Sequence, residues 1–171
     1  MCPVEKHAAT MGEKAPTNAP SVQTADDILV QTGRITSHFA LLERGLVELA
    51  HMLLGVPDNI AKTITGDLSL HAVQTLAGSL AKERVPEHSA ELRRILKMIE
   101  KAEDKKNSVS RFLWGALTAA GEQKSTRVGP GLRLNEGELN ANDLFNIATE
   151  ISVAAHELEK FRMKIKQAIR K

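Results

Sequence analysis

Apolar residues recur along most of this chain at the spacing of a helix, not of a strand. Ile28, Ile35, Phe39, Leu42, Leu46, Leu49 and Leu53 follow one another at an interval of seven and then at alternating fours and threes. Positions so spaced share one face of an α-helix, which turns once in about 3.6 residues. The run predicts a first long helix. Its entry is Thr24-Ala-Asp-Asp27, spaced as a capping box with Asp in the third position, and its exit is Gly55. Pro57 suits the first turn of a short helix closed by Gly66. Ser69 is placed to cap a third helix bearing Leu70, Val73, Leu76, Ala77 and Leu80. Pro86 opens a fourth, marked by Leu92, Ile95, Leu96, Ile99, Ala102, Val109 and Leu113 and reaching Ala120.

Residues 121–139 break the pattern, with Gly121, Gly129, Pro130, Gly131 and Gly137 inside them. Ser125–Val128 and Leu132–Leu134 fit a small β-hairpin around Gly129-Pro130-Gly131, and a disordered loop fits the composition nearly as well. Asn140 or Asn142 then caps a last helix whose stripe is Leu144, Ile147, Ile151, Ala154, Leu158, Phe161, Ile165 and Ala168. The expected fold is all-α, an antiparallel bundle of about five helices, with the candidate hairpin inserted before the last. Residues 1–23 hold Pro3, Pro16 and Pro20 without hydrophobic periodicity and read as a disordered tail, leaving 24–171 as one domain. The last seam runs nearly to Lys171, more apolar length than a small bundle covers. A homodimer would bury the surplus, and so would pairing of the first and last helices along their full length.

Composition narrows the function classes. Aromatics make up 3% of the chain and tyrosine is absent, so the core is aliphatic and base stacking on successive rings is disfavoured. A formal net charge of +2 is too small for nucleic-acid binding by bulk electrostatics, so any such role needs local clustering. Cys2 is the only cysteine, which excludes a disulfide framework and a thiolate metal cluster, and no metal or cofactor is expected. No apolar run approaches the roughly 18 residues of a membrane span. Nor does the N-terminus carry the apolar core of a secretory signal. The expectation is a cytoplasmic protein with no membrane partner.

The stretch that carries chemistry is Glu103-Asp-Lys-Lys-Asn-Ser-Val-Ser-Arg-Phe-Leu-Trp114, within the fourth helix. Continuing the apolar phase from Ile99 through Ala102 to Val109 puts Lys106 on the core-facing stripe. A lysine there must snorkel, meet an acid, or face a cleft or a partner. Asn107 and Arg111 lie four apart on the adjoining face, where their polar heads can converge.

With Phe39-Ala-Leu-Leu-Glu43 and the spaced leucines after it, this segment resembles the HEPN superfamily, and most nearly its uncharacterised bacterial members. The resemblance implies a compact helical homodimer. Active members are metal-independent ribonucleases, with an Arg, a polar residue such as Asn, and a His four to six residues beyond the Arg, shared across the dimer cleft. Lys106-Asn107-Ser108-Val109-Ser110-Arg111 keeps the spacing and the Asn, but Lys106 stands where Arg is expected and Arg111 where His is expected. The second change removes the chemistry. Histidine exchanges a proton near neutrality because its usual pKa is about 6.5, whereas arginine stays protonated. Arg111 and Lys106 can bind or stabilise an anion without shuttling protons.

His38 is the best replacement base, bordering the core beside Phe39 where it can face the fourth helix; a half-buried structural histidine is the plainer reading. Glu43 is placed either to orient Lys106 or Arg111 or simply to sit in solvent. His51, His71, His88 and His156 show no paired metal-ligand spacing and read as surface or boundary residues. Arg93, Lys97, Lys101 and Lys105 form a basic row toward Arg111, interleaved with Glu91, Glu100, Glu103 and Asp104 as on a salt-bridged solvent face. The expected function is therefore a HEPN-like homodimer that has lost catalysis and binds RNA, a nucleotide or a protein partner through Lys106, Asn107 and Arg111. The alternatives are an active metal-independent ribonuclease of toxin or phage-defence type, and a purely structural subunit.

Overall fold

The computed structural model of the 171-residue chain describes residues 25–119 and 139–169. These form five α-helices: α1 (Ala25–Leu54), α2 (Asp58–Thr65), α3 (Leu70–Arg84), α4 (Ser89–Ala119) and α5 (Ala141–Ile169). Among the described residues there is no strand, so the chain is all-α there. The expected tail at 1–23 and the hairpin at Ser125–Val128 and Leu132–Leu134 lie outside the described residues. No helix among the described residues is long and apolar enough to cross a membrane.

Local chemistry sets the helix ends. Gly55 follows α1 with φ +64°, and its N–H donates to the His51 carbonyl at 3.2 Å. A residue with a Cβ would be strained in that left-handed conformation. Pro57 precedes α2, and Gly66 closes it by donating to the Lys62 carbonyl at 2.8 Å. Ser69 caps α3, its hydroxyl oxygen accepting from the Ala72 N–H at 3.2 Å. Pro86 opens a 3₁₀ turn, Pro86–His88, that leads into α4. Asn140 and Asp143 cap α5 reciprocally: the Asn140 side chain accepts from the Asp143 N–H at 3.0 Å, and the Asp143 carboxylate from the Asn140 N–H at 3.2 Å. Each orphan donor of the first turn that is paired this way no longer needs water.

The seams read from the sequence are the seams that are buried. On α1, Ile35, Phe39, Leu42, Leu46, Leu49 and Leu53 are all buried, and Ile28 is half-buried. On α5 the stripe from Leu144 through Ile165 is buried within the single chain. The apolar C-terminal seam of α5 is thus covered within the single chain through Ile165. Large apolar residues stand exposed elsewhere, among them Leu29, Val30 and Leu41 on α1.

Paired side chains give the relative sense of the helices. His38 meets Ala148 and Glu48 meets Arg162, so α1 and α5 advance together. Glu91 pairs with Lys164, Arg94 with Glu157 and Lys105 with Glu150, so α4 runs against α5. α3 packs on α1 and α4, and the short α2 docks on α1. Gly45 marks the close approach of α1 and α5, because a Cβ there would stand 3.3 Å from Leu158 Cδ2. Leu158 is fully buried and has little room to give.

Gly45→Leu should therefore wedge α1 from α5 and lower unfolding free energy by about 1–3 kcal/mol in urea titration. An unchanged midpoint would contradict the close packing. A second expectation concerns acid. The Glu48 carboxyl is held below its usual pKa by the hydrogen bond from Arg44 and by the Arg162 guanidinium, against the opposing effect of burial. A carboxylate lowered in the folded state contributes stability above its unfolded pKa and loses it as pH falls through the folded one. Glu48→Gln should cost about 1–3 °C of Tm at pH 6, as expected for a partly exposed pair. That gap should narrow as pH falls below the usual glutamate pKa of about 4.3 and close once pH passes below the lowered folded value.

Candidate functional site

The polar segment of α4 is built around two serines that bond back into their own helix. Ser108 donates to the Asp104 carbonyl at 2.9 Å and Ser110 to the Lys106 carbonyl at 3.1 Å. Such bonds satisfy the hydroxyl hydrogens and leave oxygen lone pairs facing outward. Arg111 uses one of them: its Nη2 donates to Ser108 Oγ at 3.0 Å. The guanidinium is otherwise exposed, and among the described residues no carboxylate pairs with it. It turns back onto Ser108, and no hydrogen bond joins it to Asn107, which lies half-buried on the same helix.

Lys106 does lie on the inner side of α4, and what it meets there is a ring. Its Nζ stands 4.9 Å from the centroid of Phe39 on α1, and Phe39 is buried. An ammonium over an aromatic face at this range gains on the order of 1 kcal/mol. The residue as a whole is half-buried, and no acid among the described residues pairs with it. This settles how a lysine is tolerated on that stripe: the partner is a quadrupole in place of a charge.

His38 turns the other way. Its Nδ1 is 3.2 Å from the Ala148 carbonyl of α5, so it faces the last helix and not the fourth. A carbonyl only accepts, which puts the hydrogen on Nδ1 and leaves Nε2 as the acceptor of the neutral ring. Among the described residues, no hydrogen bond or ion pair links a histidine to Lys106 or Arg111. Glu43 is exposed on α1 and makes no ion pair among the described residues, so it orients neither cation. Of the basic row, Lys105 pairs across the helices with Glu150, not with the acids interleaved on α4.

One polar cluster carries no spacing signal in the sequence. His51 on α1 lies 2.7 Å from Thr65 Oγ1 on α2, and the Thr65 hydroxyl donates to the Ala61 carbonyl at 3.0 Å. With its hydrogen so committed, Thr65 must accept from His51 Nε2–H. Nδ1 then faces Asp58, 3.8 Å away, whose carboxyl is held low chiefly by a hydrogen bond from Lys62. This clamp fastens α2 onto the end of α1, and only the fold brings its members together.

Chemically, the α4 segment offers two cations within two turns and hydroxyl oxygens between them. Either cation can meet an anion, Lys106 from the inner side against Phe39 and Arg111 from the exposed side, and among the described residues no histidine bonds to either. Among the described residues no three His, Cys, Asp or Glu side chains are grouped to hold a metal. No family model, curated protein or solved structure matches the chain.

Proposed function

We propose that this chain is a HEPN-like, non-catalytic RNA-binding helical protein, acting as a homodimer, with Lys106 and Arg111 contacting backbone phosphates. The observation that carries the reading is the state of Arg111. It is exposed, pre-oriented by Ser108, and free of any carboxylate among the described residues. Arg94, Lys105, Arg162 and Lys164 each meet an acid, and of the α4 cations that meet none among the described residues, Arg111 is the one held by a hydroxyl. A guanidinium held in place without a counter-charge is suited to a phosphate. A purely structural segment would bury that arginine against acids. An active ribonuclease would need a base at the cations, and His38 is tied by Nδ1 to the Ala148 carbonyl of α5. The exposed Leu29, Val30 and Leu41 on α1, and no longer the C-terminal seam, support the dimer.

Fluorescence anisotropy with a labelled single-stranded RNA in EDTA tests the site. Affinity should fall about fivefold in Arg111→Ala and in Lys106→Met, and the salt dependence should become shallower by about one ion per variant. The RNA should emerge uncut. Fragments ending in cyclic phosphate, or variants that bind like the parent protein, would overturn the reading. Light scattering should return twice the 18.7 kDa chain mass, and about half that for Leu41→Glu.

A further inference from the structure

Between α3 and the first turns of α4 lies a groove of about 300 Å³ that the site above does not use. Its walls carry Lys82 and Arg93, and no lining residue is acidic. Both cations are exposed, and neither forms an ion pair among the described residues. The floor holds Gln74, only 8% exposed. Among the described residues its amide makes no hydrogen bond, yet none of its polar atoms is sealed from solvent, since Gln31 Oε1 is the one fully enclosed unsatisfied side-chain atom there. A side chain this buried that lines the groove and makes no hydrogen bond among the described residues has one donor group and one acceptor to offer whatever fills it.

The hydroxyls refine the ligand. Thr75 donates to the His71 carbonyl at 3.0 Å and Ser89 to the Pro86 carbonyl at 2.8 Å. Both have spent their hydrogens, so they offer the groove lone pairs and want donors from a ligand. Along the groove Thr75 lies apart from the cations, whereas Ser89 sits at their end, one turn before Arg93. The chain reverses between Arg84 and Ser89, which sets Arg93 across from Lys82, while Gln74 and Thr75 lie about two helical turns back along α3. The groove thus asks for an anion at one end and hydroxyl donors at the other. His71 supplies the only ring in its lining, so a nucleobase would find little to stack on.

We propose that this groove binds a sugar phosphate: a phosphate monoester between Lys82 and Arg93, with the sugar hydroxyls donating to Thr75 and Gln74. Two cations on separate helices clamp a dianion, and the buried amide reads the polyol. Phosphate esters owe much of their affinity to such paired charged hydrogen bonds. The site is independent of Lys106 and Arg111.

Titration calorimetry at low salt, with glucose 6-phosphate as probe, tests this, with inorganic phosphate, glucose and adenosine 5′-monophosphate as comparisons. Glucose 6-phosphate should bind at least about tenfold more tightly than phosphate or the nucleotide, and glucose should not bind measurably. Lys82→Gln and Arg93→Gln, both at exposed positions, should each weaken it about tenfold, and Gln74→Leu should bring it down to the phosphate level. Circular dichroism checks that each variant is folded. Gln74→Asn, which keeps an amide, serves if the leucine variant is not. RNA affinity should be unchanged in all of them, which separates failure here from failure at Arg111. Equal affinity for phosphate and the sugar phosphate, no binding, or undiminished binding by the double Lys82/Arg93 variant would overturn the proposal.

Discussion

The close packing of α1 on α5 is the constraint from which the rest follows. Gly45 brings the two axes together by leaving no side chain in the path of Leu158. A glycine inside a helix costs roughly 1 kcal/mol against alanine. Burying a single leucine or isoleucine returns on the order of 1.5–3 kcal/mol by area alone. The seam buries many such residues from both helices, so the exchange favours the glycine. With α1 and α5 advancing side by side, α4 runs back against α5 and touches α1. α3 then closes over α1 and the first half of α4, and the second half, with Lys106 and Arg111, extends beyond it.

Charge is sorted by that arrangement. Cations along the α1–α5 and α4–α5 boundaries meet acids: Arg162 with Glu48, Arg94 with Glu157, Lys164 with Glu91, Lys105 with Glu150. Pairs this exposed contribute about 0–1 kcal/mol each, little beside the seam, and chiefly favour one register over its neighbours. Among the cations that meet no acid in the described residues, four have other surroundings that matter. Lys106 rests on a ring, Arg111 on a serine, and Lys82 and Arg93 face an acid-free groove. These residues can still take an anion from outside.

The candidate site was legible only in part. The helical phase placed Lys106 on the inner stripe, and a lysine there demanded a partner. It did not name Phe39, because contact between residues 67 positions apart depends on how α1 and α4 lie together. Asn107 and Arg111 sit as their spacing requires, but the guanidinium chose Ser108, a competition between side chains that spacing does not decide. His38 borders the core as its phase predicts, turned to α5 instead of α4. The His51–Thr65–Asp58 clamp and the α3–α4 groove left no local trace, since each draws its members from different helices.

By itself the sequence determined the helices and their inward faces. Periodicity, the caps at Ser69 and Asn140, and the stops at Gly55 and Gly66 act within a few residues, and local chemistry is enough to express them. It also determined that the 106–111 segment carries two cations and no histidine, because residue identity does not wait on the fold. Only the tertiary structure decided which helices share a seam, which cations find acids, and which are left without one. Those outcomes depend on the relative sense and distance of helices far apart in the chain. That distance is set where a missing Cβ at Gly45 lets Leu158 come near.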